Sequence, residues 1–296
     1  NMDLIMRVSR LPKLGESLLG TNFMTARGGK GANQAVAAAR LGANVTFVGC
    51  VGDDSFGVLQ REGFIQEGIC VDHLKTSKNE PTGTASILLT ESGQNTIVVA
   101  PSANYDLLPE DITGLYDLFA QADMIMVQLE IPEETVETVF NLARETHTFS
   151  ILDPSPARAV SPELLADISL VSPNETEAES LTGVVVDSLD TAREAAHHLR
   201  DSGVAQVVIK LGGRGCLYCG DEELYIPAFE VEARDVTAAG DSFTAALGVA
   251  WGAMSLHDTL CFANAAGALA ATVEGAQPSI PDRDTVLHFL KEQAVD

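Results

Sequence analysis

Basic residues are scarce in this 296-residue chain: 18 Lys and Arg stand against 42 Asp and Glu, a formal net charge of −24. A surface of that sign repels polyphosphate backbones and anionic lipid, which disfavours nucleic acid and membranes as partners. Long apolar runs are missing too. Hydrophobic residues make up 46% of the chain, yet no run approaches a membrane span, and the opening NMDLIMRVSR has no apolar core followed by a small-residue cleavage site. The composition predicts a soluble, cytoplasmic protein. Five cysteines, odd in number and scattered, form no disulfide framework. Cys216 and Cys219 make a CxxC inside the strand-like GCLYCG, but without a second pair they read as core filler, and the histidines show no ligand spacing. No transition-metal site is expected. A Walker A loop, a GxGxxG fingerprint, a GxSxG elbow and an HExxH pair are all lacking, and without the second of these a nicotinamide dehydrogenase has no cofactor signature.

What is present is alternation. Short apolar runs at 45–51, 123–129, 149–153, 168–172 and 206–212 are separated by helical patterns at 56–67, 132–146, 174–182 and 189–202. Near-continuous apolar strands joined by helices predict an α/β fold, a three-layer, doubly wound, mostly parallel sheet with ligands beyond the carboxyl ends of its strands. Residues 82–100 break this rhythm, because TGTASILLTESGQNTIVVA alternates around a Ser-Gly-Gln-Asn turn and reads as a β-hairpin. With an extended segment at about 4–23 it predicts a small β-sheet lid, whose free edge would suit a homodimer seam. A surface hairpin without function fits the same pattern. One domain over 1–296 accommodates all of it.

Two short stretches carry the chemistry. In DVTAAGDSF at 235–243, small residues and a glycine deliver Asp241 to a helix that reads from Ser242 onward. Unpaired amides at a helix start carry roughly half a positive charge and suit a phosphoryl group, while the carboxylate suits the proton of an alcohol. An ordinary N-cap aspartate is the competing reading. GGKGANQ at 28–34 places two glycines, a lysine and another glycine before a second helical run, so backbone can approach a ligand closely there as well.

Together these segments resemble the ribokinase-like family of carbohydrate and nucleoside kinases. Eight ordered matches span nearly the whole chain: NMD at 1–3, GGKGANQA at 28–35, QLE at 128–130, DPSPAR at 153–158, PNETEAE at 173–179, KLGGRG at 210–215, DVTAAGDSF at 235–243 and GAQPS at 275–279. The resemblance implies transfer of the ATP γ-phosphate to the 5-hydroxyl of D-ribose, with Asp241 as general base and the amides of Ala238, Ala239 and Gly240 as an anion hole. It implies sugar contacts at Asn1, Asp3, Gly29, Lys30, Gly31, Ala32, Asn33, Glu130 and Asp241. Nucleotide contacts fall on Asn174, Lys210, Leu211, Gly212, Gly213, Arg214, Gly215, Gly240, Asp241 and Asn264. Magnesium is implied near Glu177 through water. Potassium is implied at Asp235, Thr237, Ala270, Val273, Gly275 and Ser279.

Each residue also has a plainer reading. Glu130 before Ile131 and Pro132 fits a helix-start acid, Asn33 an ordinary first-turn residue, and NETEAE an acidic helix start. The chain also departs from the family pattern. Ala238 and Ala239 stand where many members have Gly then Ala, Val236 replaces a common Thr, and the family's core strand before its Asn-x-Asp motif is expected to be truncated or missing, since the chain begins at Asn1. The alternatives are a sibling kinase for another sugar or nucleoside, and a non-catalytic sugar-binding regulator.

Overall fold

The computed structural model describes residues 1–90 and 94–293. The chain opens with β1 (Met2–Val8), β2 (Asn22–Arg27), α1 (Lys30–Arg40), β3 (Gly49–Gly52), α2 (Ser55–Gln66), β4 (Leu74–Ser77), β5 (Thr84–Thr90) and β6 (Asn95–Ala100). Short helices α3 (Pro109–Thr113) and α4 (Tyr116–Gln121) lead into β7 (Met124–Val127), α5 (Glu133–Thr146), β8 (Phe149–Leu152), α6 (Pro162–Leu165) and β9 (Leu170–Val171). Then come α7 (Glu175–Thr182), α8 (Leu189–Asp201), β10 (Gln206–Lys210), β11 (Cys216–Cys219), β12 (Glu223–Ile226), α9 (Ala239–Ala250), α10 (Leu256–Ala271) and α11 (Arg283–Gln293).

The main sheet has six strands in the order β12-β11-β10-β9-β8-β7. From β7 to β10 the pairing is parallel, and the last two strands turn back antiparallel. Alternate residues of these strands leave on opposite faces, as the pleat requires. Leu152, Val171, Val207 and Ile209 join Val136 and Phe140 of α5 and Leu199 of α8 in one apolar layer, whereas Ile151, Leu170 and Val208 pack on Phe243, Leu247 and Phe262 from α9 and α10. Both faces are therefore covered, which makes the three layers. Cys216 and Cys219 are buried within these layers, and burial pushes the Cys216 thiol up to about 12. They serve as filler. No helix among the described residues is long and apolar enough to cross a membrane.

A second sheet in the order β2-β1-β5-β6 forms the lid, with β1 parallel to β5 and the other pairs antiparallel. The hairpin strands are present, although Ser92 and Gly93 of the expected turn lie outside the described residues. The other lid strands are not one segment at 4–23 but two, Met2–Val8 and Asn22–Arg27. Pro12 lacks a ladder donor and Gly15 has φ +77°, so the stretch between them loops out. The run at 45–51 is also displaced. It is extended only from Gly49 and pairs with β4 as a separate two-stranded sheet, not with the main one.

One side chain ties α1 to distant segments. Arg40, in the last turn of α1, grips the Glu67 carboxylate with Nε at 3.0 Å and a terminal nitrogen at 2.6 Å, and its other nitrogen donates to the carbonyls of Gln277 at 2.7 Å and Ile280 at 2.8 Å. Arg40→Met strands a half-buried carboxylate and two carbonyls, so it should lower unfolding stability by about 3 kcal/mol. A fall in the urea midpoint at unchanged slope would register the loss.

Candidate active site

The carboxyl ends of the parallel strands meet the starts of α1 and α9, where ligand sites of such sheets are found. Gln128 follows β7, Asp153 follows β8, Asn174 follows β9, and Lys210 ends β10. From the helices come Asn33 and Gln34 in the first turn of α1 and Asp241 in the first turn of α9. Helix α9 starts at Ala239, not at Ser242, because Ala238 takes the left-handed conformation (φ +59°) and the alanines of the helix are strong helix formers. Asp241 is thus inside the helix and is not its N-cap.

That geometry decides which amides at the helix start are open. The Ala239 amide donates to Val236 O at 3.2 Å and is committed to a turn. Among the described residues the amides of Ala238, Gly240 and Asp241 have no hydrogen-bond partner, so the open donors sit on either side of Ala239.

Asp241 is buried, and two side-chain amides face it: Asn33 Nδ2 donates to Oδ2 at 2.9 Å and Gln34 Nε2 to Oδ1 at 3.3 Å. Burial pushes its pKa up to about 6. The Lys30 ammonium and the two amides work against that rise, and the neighbouring Asp153 carboxylate adds to it. Asn33 Oδ1 is buried with no partner among the described residues, an open acceptor beside the carboxylate. Such an orphan fits a ligand hydroxyl, since leaving it dry costs about 1–3 kcal/mol.

Asn1, Asp3, Lys30 and Glu130 collect nearby. Glu130 Oε2 accepts the Lys30 amide at 2.8 Å, at the start of α1 and not of the α5 helix that follows it in sequence, and its other oxygen accepts Asn1 Nδ2 at 3.3 Å. Asn104 donates to Asn1 Oδ1 at 2.7 Å. A Cβ on Gly28 would lie 2.2 Å from the Asp3 carboxylate, and Gly29 combines φ +93° with backbone of Asn1 at 2.5 Å, so no larger residue fits either position. A Cβ on Gly31 would meet Gln128 Oε1 at 2.8 Å. Ala32 does not face this group. It packs in the third apolar cluster with Val36, Val51 and Phe64. For Lys30, burial lowers the pKa, but the carboxylates of Asp241, Asp153, Glu130 and Glu177 outweigh it and hold the ammonium charged.

On the other side, Asn174 caps α7 and Glu177 answers it. Glu177 accepts the Asn174 amide at 2.8 Å and its Nδ2 at 2.9 Å, while Asn174 Oδ1 accepts the Glu177 amide at 2.8 Å. The acidic helix start is real, and both Glu177 oxygens are engaged in it. Among the described residues no group of three or more His, Cys, Asp and Glu could hold a metal ion. The loop from Leu211 to Gly215 turns tightly, with Leu211 buried, Gly212 at φ +53° and Gly215 at φ +104°, where a Cβ would strike Ile226 O. Gly213 borders open space. Arg214 is held at the Asp187 carbonyl (2.6 Å) and the Glu175 carboxylate (3.3 Å), and Asn264 Nδ2 at the carbonyls of Ile226 and Pro227.

Of the six positions expected to surround a monovalent cation, three are visibly joined. Asp235 Oδ1 accepts the amide and hydroxyl of Thr237, and Oδ2 accepts the Gly275 amide at 2.9 Å. Burial opposes the Asp235 charge, and these donors outweigh it. Ala270 and Val273 flank the end of α10, whereas the Ser279 hydroxyl turns to Ala276 O at 2.8 Å.

Five residues to which the sequence assigns no role belong to the centre, Gln128 among them. Asp153 bonds Gln34 Nε2 (2.6 Å) and Lys210 Nζ (2.9 Å), and Lys210 also reaches Thr244 Oγ1 at 3.4 Å. Asp153 had a signal, since it directly follows a buried strand at its carboxyl end. Gln34 closed the GGKGANQ motif, whereas Thr244 and Asn104 had no signal.

A buried carboxylate beside free helix-start amides, fed by two glycine-rich turns, defines a phosphotransferase acting on a hydroxyl group. The model of the pfkB family carbohydrate kinases matches residues 1–283, and the chain belongs to that family. Within it the similarity narrows. Ribokinase of Haemophilus influenzae is 42% identical over 98% of this chain and 96% of its own. Ribokinase of Arabidopsis thaliana, solved with ribose and ATP, superposes with a TM-score of 0.91 at 35% identity, covering 98% of this chain and 96% of that one. Deoxyribokinase of Salmonella typhi is 36% identical over 82% of this chain and 80% of its own. The layered sheet with its small four-stranded lid is the ribokinase-like fold.

The raised carboxylates have a thermodynamic signature. Burial pushes Asp3 as well as Asp241 up to about 6, Asp3 against the amino group of Asn1 and with help from Glu130 and Asp241. A carboxylate raised in the fold contributes stability that is complete below about pH 4 and lost as pH rises through about 6. Asp241→Asn should therefore raise stability at pH 7 by roughly 2–3 kcal/mol and leave it unchanged at pH 4. The Asn33 amide can flip to present Oδ1 to the new NH2 group. Urea unfolding at the two pH values checks this.

Proposed function

We propose that this chain is an ATP-dependent D-ribose kinase that forms D-ribose 5-phosphate, with Asp241 as the base. The observation that carries the reading is the buried Asp241 carboxylate set between open amides and the unpartnered oxygen of Asn33. An alcohol of pKa about 15.7 lies about 10 units above a carboxylate raised to about 6, so forming a free alkoxide would cost roughly 13 kcal/mol. Asp241 instead orients the sugar hydroxyl and takes its proton as the bond to the γ-phosphorus forms and the bond to the bridging oxygen of ADP breaks. The open amides of Ala238, Gly240 and Asp241 receive the charge on the transferred group, each contributing about 3 kcal/mol by analogy with oxyanion holes. Asn1, Asp3, Asn33 and Glu130 supply acceptors and donors for adjacent hydroxyls, Lys30 and Gly29 close the sugar side, and the loop 210–215 with Asn174 and Asn264 borders the nucleotide side. A single domain with its lid carries both sides.

Magnesium, which shields the triphosphate when bound, fits only at one remove, through water on Glu177, because the capping box uses both carboxylate oxygens. Potassium, which supplies positive charge to the loop when bound, fits the oxygen donors of Asp235 and Thr237 beside the negative end of α10. The lid offers a homodimer seam, since all six residues of β6 are exposed, Val98 by 65%. Five free cysteines suit the reducing cytoplasm where ATP is abundant.

The similarity to deoxyribokinase supports a second reading, 2-deoxy-D-ribose as substrate. A coupled ADP assay over a sugar and nucleoside panel separates the two. D-ribose is expected to give the highest kcat/KM, because a site of paired polar groups rejects an analogue lacking a hydroxyl by 10-fold or more. Asp241→Asn is expected to abolish turnover while calorimetry still detects ribose binding. A silent regulator would bind without turnover in the unsubstituted protein. Replacing potassium with an inert organic cation should cut turnover strongly and lower the melting temperature of the nucleotide complex.

A further inference from the structure

Lys210 and Asp153 form the most deeply buried ion pair of the described residues, with side chains 11% and 3% exposed. Ion pairs so placed add little to stability over a packed apolar pair, so their presence at the strand ends calls for another reason. Two neighbours supply one. Lys210 Nζ lies 3.9 Å from the position a Cβ on Gly240 would take, which sets the ammonium beside an open amide of the anion hole. Asp153 uses its two oxygens in opposite directions, Oδ1 to Lys210 and Oδ2 to Gln34, and the same Gln34 nitrogen reaches Asp241 at 3.3 Å.

We propose that Lys210 is a catalytic residue that meets the transferring phosphoryl group, and that Asp153 and Gln34 are positioning residues that hold it in register with Asp241. The chain runs unbroken from ammonium to base: Lys210, Asp153, Gln34, Asp241. Gln128 fixes the far side of Gln34 by donating to its carbonyl oxygen. The ammonium has three protons: Asp153 and Thr244 take two, and the third, with Glu177 Oε2 no nearer than 3.9 Å, is left for the phosphate near Gly240. Charge requires it as well. Asp153, Asp241, Glu130 and Glu177 surround Lys30, and without Lys210 an incoming triphosphate would meet four carboxylates and one cation. Since negative charge builds on the bridging oxygen of the departing ADP as the group transfers, a fixed ammonium there favours the transition state over the bound substrate.

This inference rests on the kinase reading, and the experiment keeps the two apart by using whichever sugar the unsubstituted protein turns over. Lys210→Met should lose about 100-fold in kcat with the sugar KM little changed, and should melt at a lower temperature because Asp153 is left buried and unpaired. The double variant Lys210→Met with Asp153→Asn removes both charges. It should regain the melting temperature yet keep the 100-fold deficit, because a neutral pair restores packing but not the cation. Recovery of kcat to within about 3-fold of the unsubstituted protein would make the pair merely structural and overturn the proposal. Asp153→Asn alone keeps Lys210 and tests the positioning role. The groups facing Asp241 are Lys30, Asp153 and Asp3, so removing the Asp153 charge should shift the acidic limb of kcat/KM downward and lower kcat. An unmoved limb with unchanged kcat would sink that part.

Discussion

A carboxylate buried between two helix starts is the constraint on which the site depends. Asp241 belongs to α9 and its two amide partners to α1, so the hydrogen bonds at 2.9 and 3.3 Å fasten elements whose residues are over 200 positions apart. Neither helix could shift along its axis without leaving a charged group unsatisfied in a dry environment, a cost of several kcal/mol. The raised affinity of that carboxylate for a proton follows from the same burial that locks the helices. Structural fixation and chemical basicity therefore have one origin.

The sheet explains why these helices meet where they do. Parallel strands deliver Gln128, Asp153, Asn174 and Lys210 to one edge, while apolar residues alternate to the two covered faces and leave little room for polar groups along the strands, Ser150 being an exception that Ser169 satisfies. Polar side chains are thus concentrated at strand ends by exclusion from the core. Glycines at 28, 29 and 31 then permit backbone to press against Asn1, Asp3 and Gln128, which brings the lid strand β1 against the same edge.

Local patterns made much of this legible in the sequence. The helices at 56–67, 132–146, 174–182 and 189–202 lie within a residue of those found, because amphipathic spacing and caps such as Ser188 and Asn174 act over a single turn. The glycine-rich turns and Asp241 were equally visible. What escaped was set by contacts distant in the chain. Gln34 reads as one more polar helix residue until Asp153, 119 positions away, is placed opposite it. The start of α9 was misplaced because a left-handed alanine has no sequence signature of its own, and the lid strand was merged across a loop whose breakers, Pro12 and Gly15, are weak signals inside a polar stretch. Ala32 sits in a motif yet turns toward Val36 and Phe64, a choice made by helix phase alone.

Arg40 gives α1 a mechanical character. One end of this eleven-residue rod bears Lys30, Asn33 and Gln34, and the other grips the carbonyls of Gln277 and Ile280, next to the turn that begins at Gly275. In the proposed kinase, force applied at the Lys30 end would be transmitted to that turn, and strain relieved at the turn would return along the same strut. By reciprocity of linked equilibria, whatever tightening the proposed cation beside Asp235 would confer on a bound sugar, the sugar would confer in equal measure on the cation.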